Sequence, residues 1–497
     1  MNEMPLHAGL TADFIAARFA DFPVISEENN ALLEKVRRIT AWLRQLGVRK
    51  KSLIISLFPP DKTWIALDIA ILRCGAIHVP FHNAEEVSSA TGYFEKYFFL
   101  VHPDIKCDAD TRENQVVITD LPDEFLQHFS GEESVENEAE SVNPSDTAEI
   151  IFSYNSDSEL KPFAISHENI VETAVAAGKE LPLTPGDKYL SMLPFSKIYG
   201  RVSLLAHQLL GCSIECPQQM LLPSRLIKVS KAASVAVVPS MLQYPVKLDE
   251  VGSQWLKGRS LATLDELPPE AFRHVFGDSL KILICGGTMI SSVLLEKFEA
   301  SSLTLLEGYG LTQTTGVFTL NTVSAHRTGS KGKPLDHMKL KISAEGEILA
   351  KGPGISPGII WPDGTIENIC DSDGWFHSGD EGYIDDDGFL FVTGNMKRIF
   401  KLANGYYYDP LPDEMRISDE INARVMICRD EKGNLHLLSE KRECDWSDLQ
   451  KMFLRNYKTS NFSIALSTVS FASNLPTTRP YQFSPAENVL ILRRDHK

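Results

Sequence analysis

The sequence predicts an α/β protein in which two α/β units precede a β-rich portion and a small α+β segment. Two observations support this fold class. Up to about residue 305, short apolar runs typical of buried strands alternate with helical spacing, a rhythm that builds parallel sheets covered by helices. From about residue 335 the pattern changes to the alternation of antiparallel strands. A chain of 497 residues is long enough for two or three domains with separate cores.

The first α/β unit is predicted from three consecutive segments. Residues 31–46 carry apolar side chains at helical spacing and end at Gly47, where a helix would stop. Residues 52–58, SLIISLF, are typical of a buried strand, and residues 63–81 are predicted as a helix, a glycine break and a second strand. A strand, a helix and another strand in this order indicate parallel neighbours in one sheet.

The second α/β unit follows a polar segment, residues 131–146, that is predicted as a solvated loop or short linker. Residues 149–154 are then predicted as a strand and residues 166–181 as a helix. A loop between a strand and a helix N-terminus commonly holds phosphates. Three further segments repeat the strand-and-turn pattern and complete the unit: 188–200, 234–243 and 280–290.

The β-rich portion is predicted from the alternation of Met338, Leu340 and Ile342 with lysines, followed by a Glu345-Gly346 turn and a second strand. A hairpin is therefore expected there. The end of the chain is predicted as a small α+β domain, with strands at residues 423–430 and 435–440 and a helix at residues 446–457.

Composition and charge exclude several functional classes. No apolar run reaches the roughly 18 residues of a membrane span, and the start of the chain lacks the pattern of a secretory signal. Eight cysteines are scattered, and Cys212 and Cys216 have no second metal-spaced pair, which favours free thiols in a reducing cytoplasm. A net charge of -17 argues against a nucleic-acid partner but not against a local nucleotide pocket.

The functional prediction is organised around the stretch Leu305–Thr315, which reads LLEGYGLTQTT. It combines two glycines, an aromatic ring and three hydroxyl side chains in a predicted turn after an apolar run. Backbone amides and a flat stacking surface would then face one point, which is the shape of a nucleotide site. An aromatic ring between glycines is also common in ordinary loops, so the prediction depends on the accompanying motifs.

Those motifs occur in order along the chain: IFSYNSDSELKPFAISHENI, LPFSKIYGR, ICGGTMI, LLEGYGLTQTTG, GEILAKGP, DGWFHSGDEGYIDDDG and VTGNMKRIFKLANG. Together they resemble the adenylate-forming ligases, which include acyl-CoA synthetases, luciferases and peptide-synthetase adenylation domains. The resemblance implies a large N-terminal domain of two α/β subdomains plus a β-barrel, residues 1–394, and a small mobile α+β C-terminal domain, residues 395–497. It also implies that ATP activates a carboxylic acid as an acyl-AMP, which then passes to a thiol such as coenzyme A.

The resemblance assigns a nucleotide site residue by residue. Tyr309 would stack on the adenine, Thr312 would donate its hydroxyl to the α-phosphate of ATP or AMP, and Asp380 would accept both ribose hydroxyls. Lys397 and Arg398 would lie at the hinge between the domains. The implied cofactor-binding positions are Gly286, Gly287, Thr288, Tyr309, Gly310, Thr312, Asp380, Asn395 and Lys397. Plainer interpretations are a packing role for Tyr309 and a turn role for Asp380.

The phosphate loop departs from the family pattern, a Ser/Thr/Gly run followed by Pro-Lys-Gly. Residues 153–158 read SYNSDS, so every glycine that would let the backbone close on the β- and γ-phosphates is replaced. Tyr154 and Asn155 bring side chains into this space. Asp157 adds a charge whose repulsion from one phosphate charge is about 3 kcal/mol at about 5 Å and an effective dielectric of about 20. Lys161 alone keeps a phosphate-compatible charge there.

Other positions that the resemblance assigns to chemistry are altered too. Gln313 replaces the glutamate that binds magnesium, and a neutral amide binds this metal more weakly. Asn395 replaces an arginine, and Gln482 replaces the adenylation lysine, whose loss commonly costs about 10² to 10³ in rate. Lys197 replaces a histidine near the acid pocket and would either pair with an acid substrate or be a solvated surface residue. The implied catalytic set is Thr312, Lys161, Gln313 and Gln482.

Two functions remain open from the sequence. The first is an active, divergent ligase that makes a thioester from a fatty or aryl acid, supported by the intact motif order, Thr312, Asp380 and Lys161. By analogy, LPFSKIYGR resembles the long-chain acyl-CoA synthetases more than the amino-acid-activating domains. The second is a catalytically impaired pseudoenzyme that binds an acyl group, AMP or a carrier partner. A third alternative performs only the thioester half-reaction on ready-made acyl-AMP. The sequence leaves open the acid, the choice between coenzyme A and an acyl carrier protein, and the oligomeric state.

Overall fold

The fold is taken from a computed structural model, which describes residues 26–82, 84, 86–87, 93–102, 105, 117–118, 142–154, 160–217, 221–242, 246–247, 261–287, 290–395, 400–401, 407–408, 410–421, 425–429, 435–439, 466–471 and 490–492. The helices are α1 (Ser26–Gln45), α2 (Lys62–Arg73), α3 (His167–Lys179), α4 (Ile198–Leu209), α5 (Pro223–Ser230), α6 (Pro239–Leu242), α7 (Phe272–Phe276), α8 (Ser292–Ala300) and α9 (Leu411–Ile421). Within these ranges, no helix is long and apolar enough to cross a membrane.

The strands up to residue 334 are β1 (Leu53–Leu57), β2 (Ile77–Phe81), β3 (Phe98–Val101), β4 (Val117–Ile118), β5 (Thr147–Tyr154), β6 (Leu160–Ser166), β7 (Lys188–Leu190), β8 (Ser213–Glu215), β9 (Ser234–Val237), β10 (Val246–Lys247), β11 (Leu261–Ala262), β12 (Ile282–Cys285), β13 (Thr304–Leu311), β14 (Gly316–Leu320) and β15 (Lys333–Pro334). The later strands are β16 (Lys339–Ile342), β17 (Glu347–Lys351), β18 (Gly358–Ile360), β19 (Ile366–Glu367), β20 (Phe376–Ile384), β21 (Leu390–Asn395), β22 (Phe400–Lys401), β23 (Tyr407–Tyr408), β24 (Val425–Arg429), β25 (Leu435–Ser439), β26 (Leu466–Phe471) and β27 (Leu490–Leu492).

The first sheet has eight strands in the order β19-β18-β6-β5-β2-β1-β3-β4. β1 pairs in parallel with β2 and β3, so the predicted strand-helix-strand unit is confirmed. Asp61 caps α2 by accepting the Trp64 amide at 2.8 Å, and Trp64 itself is buried against the sheet. Gly75 ends the connection at a φ of +64°, a conformation that favours glycine.

The segment after β5 differs from the prediction of a strand that leads through a loop into a helix. β6 returns antiparallel to β5, with Tyr154 opposite Leu160, and α3 begins only after β6. The strand was missed because its apolar run, residues 162–165, is short and adjoins the helical pattern. The candidate phosphate loop therefore connects β5 to β6 and does not lead directly into a helix, and its residues 155–159 lie outside the described ranges.

The second sheet has seven strands in the order β15-β14-β13-β12-β9-β7-β8. β12 pairs in parallel with both β9 and β13, which confirms the predicted second α/β unit. The carboxyl ends of these three strands share one edge of the sheet, the usual position of ligands in such sheets. β13 also pairs antiparallel with β14 beyond that edge.

A four-stranded antiparallel sheet, β16-β17-β20-β21, stands where the resemblance implies a β-barrel. Its first hairpin, β16 and β17, is the one that the lysine alternation predicts. Near the C-terminus, β24 and β25 confirm the two predicted strands and belong to the sheet β24-β25-β26-β27. The helix predicted at residues 446–457 lies outside the described ranges, and the domain boundary at residue 394 stays a prediction.

A buried polar network ties α2 and α4 to the first sheet. Arg201 of α4 donates to Asp68 of α2 at 2.6 Å and to Glu149 of β5 at 2.5 Å. His78 of β2 lies 2.8 Å from Asp68 and 2.6 Å from Ser56 of β1. All four titratable residues are at most 3% exposed. The network fixes the first turn of α4 against the sheet, and this turn lies next to the candidate site.

Candidate functional site

The stretch Leu305–Thr315 is a strand that ends in a tight reversal. β13 runs to Leu311, a single helical turn follows at Thr312–Thr314, and Thr315 reverses the chain at a φ of +51°. The prediction of a turn was wrong for the first part of the stretch, because residues 308–311 pair with β14. The reversal itself is confirmed at its threonines.

Gly310 allows the close approach of β13 to β14. A Cβ at this position would lie 1.8 Å from the carbonyl oxygen of Gly316, so a side chain would force the two strands apart. Thr314 fixes the reversal from inside, since its hydroxyl accepts the Leu311 amide at 2.8 Å and donates to the Gly316 carbonyl at 2.8 Å. The glycine and the threonine therefore hold one rigid turn at the end of β13.

The ends of β9 and β12 form the neighbouring wall. Cys285 lies opposite Glu307, so the next residue, Gly286, comes beside Gly308 on β13. The ring of Tyr199 covers Gly286 and would lie 3.4 Å from a Cβ there, and its hydroxyl donates to the Ile284 carbonyl at 2.9 Å. Burial raises the pKa of Tyr199 well above its usual value, which keeps the phenol a donor.

Two of the predicted adenine-binding residues are thus placed beside the Tyr309 strand. Gly287 follows Gly286 with a φ of +89°, a conformation that favours glycine. Thr288 lies outside the described ranges. The sequence analysis missed Tyr199, although its motif, LPFSKIYGR, was singled out for other reasons.

Tyr309 and Asp380 are in direct contact. The Tyr309 hydroxyl donates to Asp380 Oδ2 at 2.6 Å, and this bond joins β13 of the second sheet to β20 of the third. Loss of contact with water and the charge of Asp380 raise the pKa of Tyr309 well above its usual value. The stacking and ribose positions implied by the resemblance therefore meet at one point.

We expect Tyr309→Phe to weaken AMP binding about tenfold, because the charge-assisted hydrogen bond that orients Asp380 is worth about 1.5 kcal/mol or more. Because phenylalanine keeps the stacking ring, the loss of AMP affinity measures the contribution of the Tyr309 hydroxyl alone. Isothermal titration calorimetry with AMP measures it. Tyr383→Phe is the matched control, because Tyr383 lies on β20, the strand of Asp380, and is 49% exposed. Equal affinities for the two variants would show that the bond to Asp380 is irrelevant to the ligand.

Thr312 and the β5–β6 hairpin form the predicted phosphate end. The Thr312 hydroxyl donates to Ser153 Oγ at 3.0 Å and so joins the second sheet to the first. Lys161 lies directly opposite Ser153 in the hairpin. The structure thus places Thr312 and Lys161 on two sides of Ser153, and their phosphate-binding roles stay predictions.

Gln313, predicted in place of a magnesium ligand, is half-buried in the same turn. Its backbone carbonyl accepts the Ser356 amide at 2.8 Å. In the part of the chain that the structure describes, no group of three or more His, Cys, Asp or Glu side chains could hold a metal ion. Magnesium at Gln313 would therefore depend on phosphate oxygens for most of its ligands, with the amide oxygen as a weak protein ligand.

Lys197 forms an ion pair with 39% of its side chain exposed, and both of the roles considered for it stay predictions. Its ammonium lies 2.8 and 3.1 Å from the two carboxylate oxygens of Glu86. Beside it, His82 Nδ1 lies 2.7 Å from Ser196 Oγ, and burial lowers the pKa of His82. These contacts tie the end of β2 to the start of α4. Sequence reasoning missed Glu86 because 111 residues separate it from Lys197 and no local spacing connects them.

Glu347 holds the first part of β20, which leads to Asp380. Its carboxylate accepts His377 Nδ1 at 2.7 Å and the Gly379 amide at 2.8 Å. His377 Nε2 also lies 3.3 Å from Asp371. The hydrogen bonds to Glu347 and then Asp371 raise the pKa of His377. The stabilisation by protonated His377 is therefore complete below the ordinary histidine pKa and is lost as pH rises through the raised value.

A pH-dependent stability difference follows for His377→Gln. The Tm of the wild type should exceed that of the variant most clearly below about pH 6, and the difference should shrink as pH rises past the raised pKa. Thermal denaturation between about pH 5.5 and 8.5 measures it. His274→Gln, at an exposed histidine of α7, is the control for the substitution itself. A difference that is constant with pH would contradict the assignment.

The remaining predicted site residues lie outside the described ranges. They are the side chain of Asn395, the hinge residues Lys397 and Arg398, Gln482 and the loop residues 155–159. Their roles stay predictions from the resemblance. The described residues therefore define the nucleoside side of the candidate site and one border of its phosphate end.

A comparison with known protein families shows the family to which this chain belongs. The profile of the family described as AMP-binding enzyme matches residues 16–360, more than half of the chain. The chain belongs to the AMP-binding enzyme family. This AMP-binding enzyme is 25% identical over 449 residues to the long-chain-fatty-acid–CoA ligase FadD15 of Mycobacterium bovis, covering 79% of this chain and 74% of that protein. It is 27% identical over 367 residues to the 2-succinylbenzoate–CoA ligase of Listeria monocytogenes, covering 72% and 71%.

Solved structures confirm the predicted fold class of the AMP-binding enzyme. The anthranilate CoA ligase AuaEII, in complex with anthranoyl-AMP, matches with a TM-score of 0.74 and 17% identity over 95% of both chains. The o-succinylbenzoate CoA synthetase of Bacillus subtilis, in complex with its acyl-adenylate intermediate, matches with a TM-score of 0.69 and 18% identity over 90% of both chains. Likeness at this identity establishes the fold, and the chemistry has to be argued from the residues.

Proposed function

We propose that the protein is an adenylate-forming acid ligase. An oxygen of the acid's carboxylate would attack the α-phosphorus of ATP and release pyrophosphate, and a thiol would then attack the acyl carbon and release AMP. The observation that carries this proposal is the 2.6 Å hydrogen bond between Tyr309 and Asp380, which brings the stacking and ribose positions together. The names of the relatives describe ligases of a long-chain fatty acid and of 2-succinylbenzoate, which supports a fatty or aryl acid as substrate.

Different residues would contact the adenine, the ribose and the phosphates of the nucleotide. The Tyr309 ring offers a stacking face for adenine, and Asp380 offers carboxylate oxygens to the ribose. The Thr312 hydroxyl, which donates to Ser153 at 3.0 Å, would exchange that partner for an α-phosphate oxygen, and Lys161 would supply a positive charge to the β- and γ-phosphates. Coenzyme A is the proposed thiol, with an acyl carrier protein as the alternative, and the reducing cytoplasm is the proposed location.

A catalytically impaired relative is the second candidate, and the altered phosphate loop favours it. Residues 153–158 contain no glycine and include Asp157, while Gln313 and Gln482 remove two charges that the family uses at the phosphates. Such a protein would bind AMP, an acyl group or a carrier partner, or would use ready-made acyl-AMP in the thioester half-reaction. In either case the nucleoside side of the site is retained.

Calorimetric titration separates these candidates. The protein is titrated with ATP and magnesium, with AMP, and with a non-hydrolysable acyl-AMP analogue. Micromolar binding of ATP supports the ligase and justifies a screen of acids by pyrophosphate release. Binding of AMP or the analogue without ATP supports the impaired or half-reaction candidate. Failure of all three ligands to bind would contradict the nucleotide site itself.

The double variant Gln313→Glu, Gln482→Lys is expected to raise the adenylation rate by about 10² or more, because it returns a magnesium ligand and a charge for the transition state. Acid-dependent pyrophosphate release measures the rate. The two single variants are the controls and should each recover part of the gain. If the double variant gains nothing while its AMP affinity is unchanged, the loop at residues 153–158 is the dominant defect.

A further inference from the structure

Trp361 lies beside the phosphate-end lysine. β18 pairs antiparallel with β6, with Gly358 opposite Ala164 and Ile359 opposite Phe163. Two residues further in this register, Trp361 comes beside Lys161, and the Lys161 ammonium is 5.6 Å from the centroid of the Trp361 ring. This distance is that of a cation–π contact. The lysine that the family pattern reserves for phosphate is therefore in contact with an aromatic ring of this chain.

The ring shares a sheet face with the nucleotide site. Ser153 of β5 lies opposite Lys161 of β6, and residues opposite one another in antiparallel strands project to the same face. Ser153 accepts the Thr312 hydroxyl, so this face is the one that meets the nucleotide turn. Ser153, Lys161 and Trp361 therefore form a row across three strands. With strands about 4.8 Å apart, the ring stands about 10 Å from Ser153, on the far side of Lys161.

Several hydrogen bonds hold the ring in place. The indole N–H of Trp361 donates to Glu367 Oε2 at 3.0 Å, and the Trp361 amide donates to the Thr365 carbonyl at 2.8 Å. The hairpin closes at Gly364, whose φ is +85°. The Tyr93 hydroxyl donates to the carbonyl of Ile360, the preceding residue, at 3.0 Å. With 38% of its surface exposed, the indole offers a fixed and accessible face.

We propose that Trp361 is a specificity-determining residue that draws Lys161 away from the polyphosphate position and so favours ligands with a single α-phosphate, AMP and acyl-adenylates, over ATP. The inference rests on the proposed nucleotide site. Because Trp361 flanks Lys161 on the side away from Ser153, contact of the ammonium with the ring would compete with contact to a β- or γ-phosphate. A cation–π contact at an exposed site shifts such a competition by about two- to fivefold.

The test measures ATP and AMP affinity together in Trp361→Ala and Trp361→Phe. AMP titrations by calorimetry, repeated at fixed ATP concentrations, give both dissociation constants even when ATP binds weakly. Trp361→Ala should bind ATP about two- to fivefold more tightly with AMP affinity unchanged. Trp361→Phe keeps an aromatic face and should stay near the wild type. Lys161→Ala should abolish the gain in the double variant, because the ring then has no ammonium to hold.

Trp375→Ala is the matched control. Trp375 also carries a lysine at its face, with the Lys341 ammonium 4.1 Å from the ring centroid, but it precedes β20 in a different sheet. It should leave the ratio of the two affinities unchanged. Unchanged or weaker ATP binding in Trp361→Ala, with AMP still bound, would overturn the inference alone. Absence of AMP binding in the wild type would overturn the proposed site and the inference with it.

Discussion

Replacing Arg201 with leucine is expected to lower the free energy of unfolding by about 3–5 kcal/mol. The guanidinium lies between the carboxylates of Asp68 and Glu149 at 2.6 and 2.5 Å, and all three side chains are buried. Burial raises the pKa of Glu149, and the charge of Arg201 opposes that rise. Without the guanidinium, two carboxylates would stay in the interior without their cation. Urea denaturation at neutral pH measures the loss.

The control for this variant is an arginine whose ion pair faces water. Arg38 Nε lies 2.8 Å from Glu34 one helical turn away, with 31% of the Arg38 side chain exposed. Arg38→Leu should cost about 0.5 kcal/mol or less, as is usual for exposed helical pairs. A cost for Arg201→Leu no larger than that of Arg38→Leu would show that the buried network does not hold α4 to the first sheet.

Gly310→Ala is expected to cost about 3 kcal/mol of stability and to abolish AMP binding in the micromolar range. The added methyl carbon would lie 1.8 Å from the Gly316 carbonyl oxygen, a backbone atom that no rotamer change can move aside. Relief requires β13 to separate from β14, which displaces Tyr309 from Asp380. Thermal denaturation and AMP calorimetry on the same preparation measure both effects.

A helical glycine provides the matched control. At Gly178 of α3 an added Cβ would meet its nearest atom, the Ala206 carbonyl oxygen, at 3.5 Å, an ordinary contact. Gly178→Ala should be neutral or stabilise the protein by up to about 1 kcal/mol through helix propensity. If Gly310→Ala kept wild-type AMP affinity, the close approach of the two strands could not be what positions Tyr309.

The local sequence pattern was sufficient to predict helices and strands where buried apolar residues recur every few positions. α1, β1, α2 and β2 were predictable because their apolar spacing is regular and because Gly47 and Gly75, both at positive φ, mark the connections. β6 was missed because its short apolar run is flanked by polar residues on one side and a helix on the other. β6 is stabilised by its pairing with β5 and β18, which its own sequence pattern does not predict.

The candidate site was predictable only in part, because most of its contacts join residues that are far apart in the sequence. Thr312 and Asp380 were found through the resemblance, since no local spacing connects the turn after β13 with a strand of another sheet. The pairs Lys197–Glu86 and Lys161–Trp361 depend on strand order, which local pattern does not encode. Arg201 could have been flagged as a charged residue in an apolar helical stretch, but its two partners come from α2 and β5. Long-range pairing therefore decides these contacts.

The hydrogen bond between Tyr309 and Asp380 also has a kinetic consequence. It aligns an edge of the second sheet with an edge of the third through protein atoms alone, at 2.6 Å. In the function proposed above, a nucleoside would meet two strands that are already joined to each other, so no conformational search has to precede its binding. Association should accordingly follow a single rapid exponential phase, and affinity differences among variants of this pocket should arise from their dissociation rates.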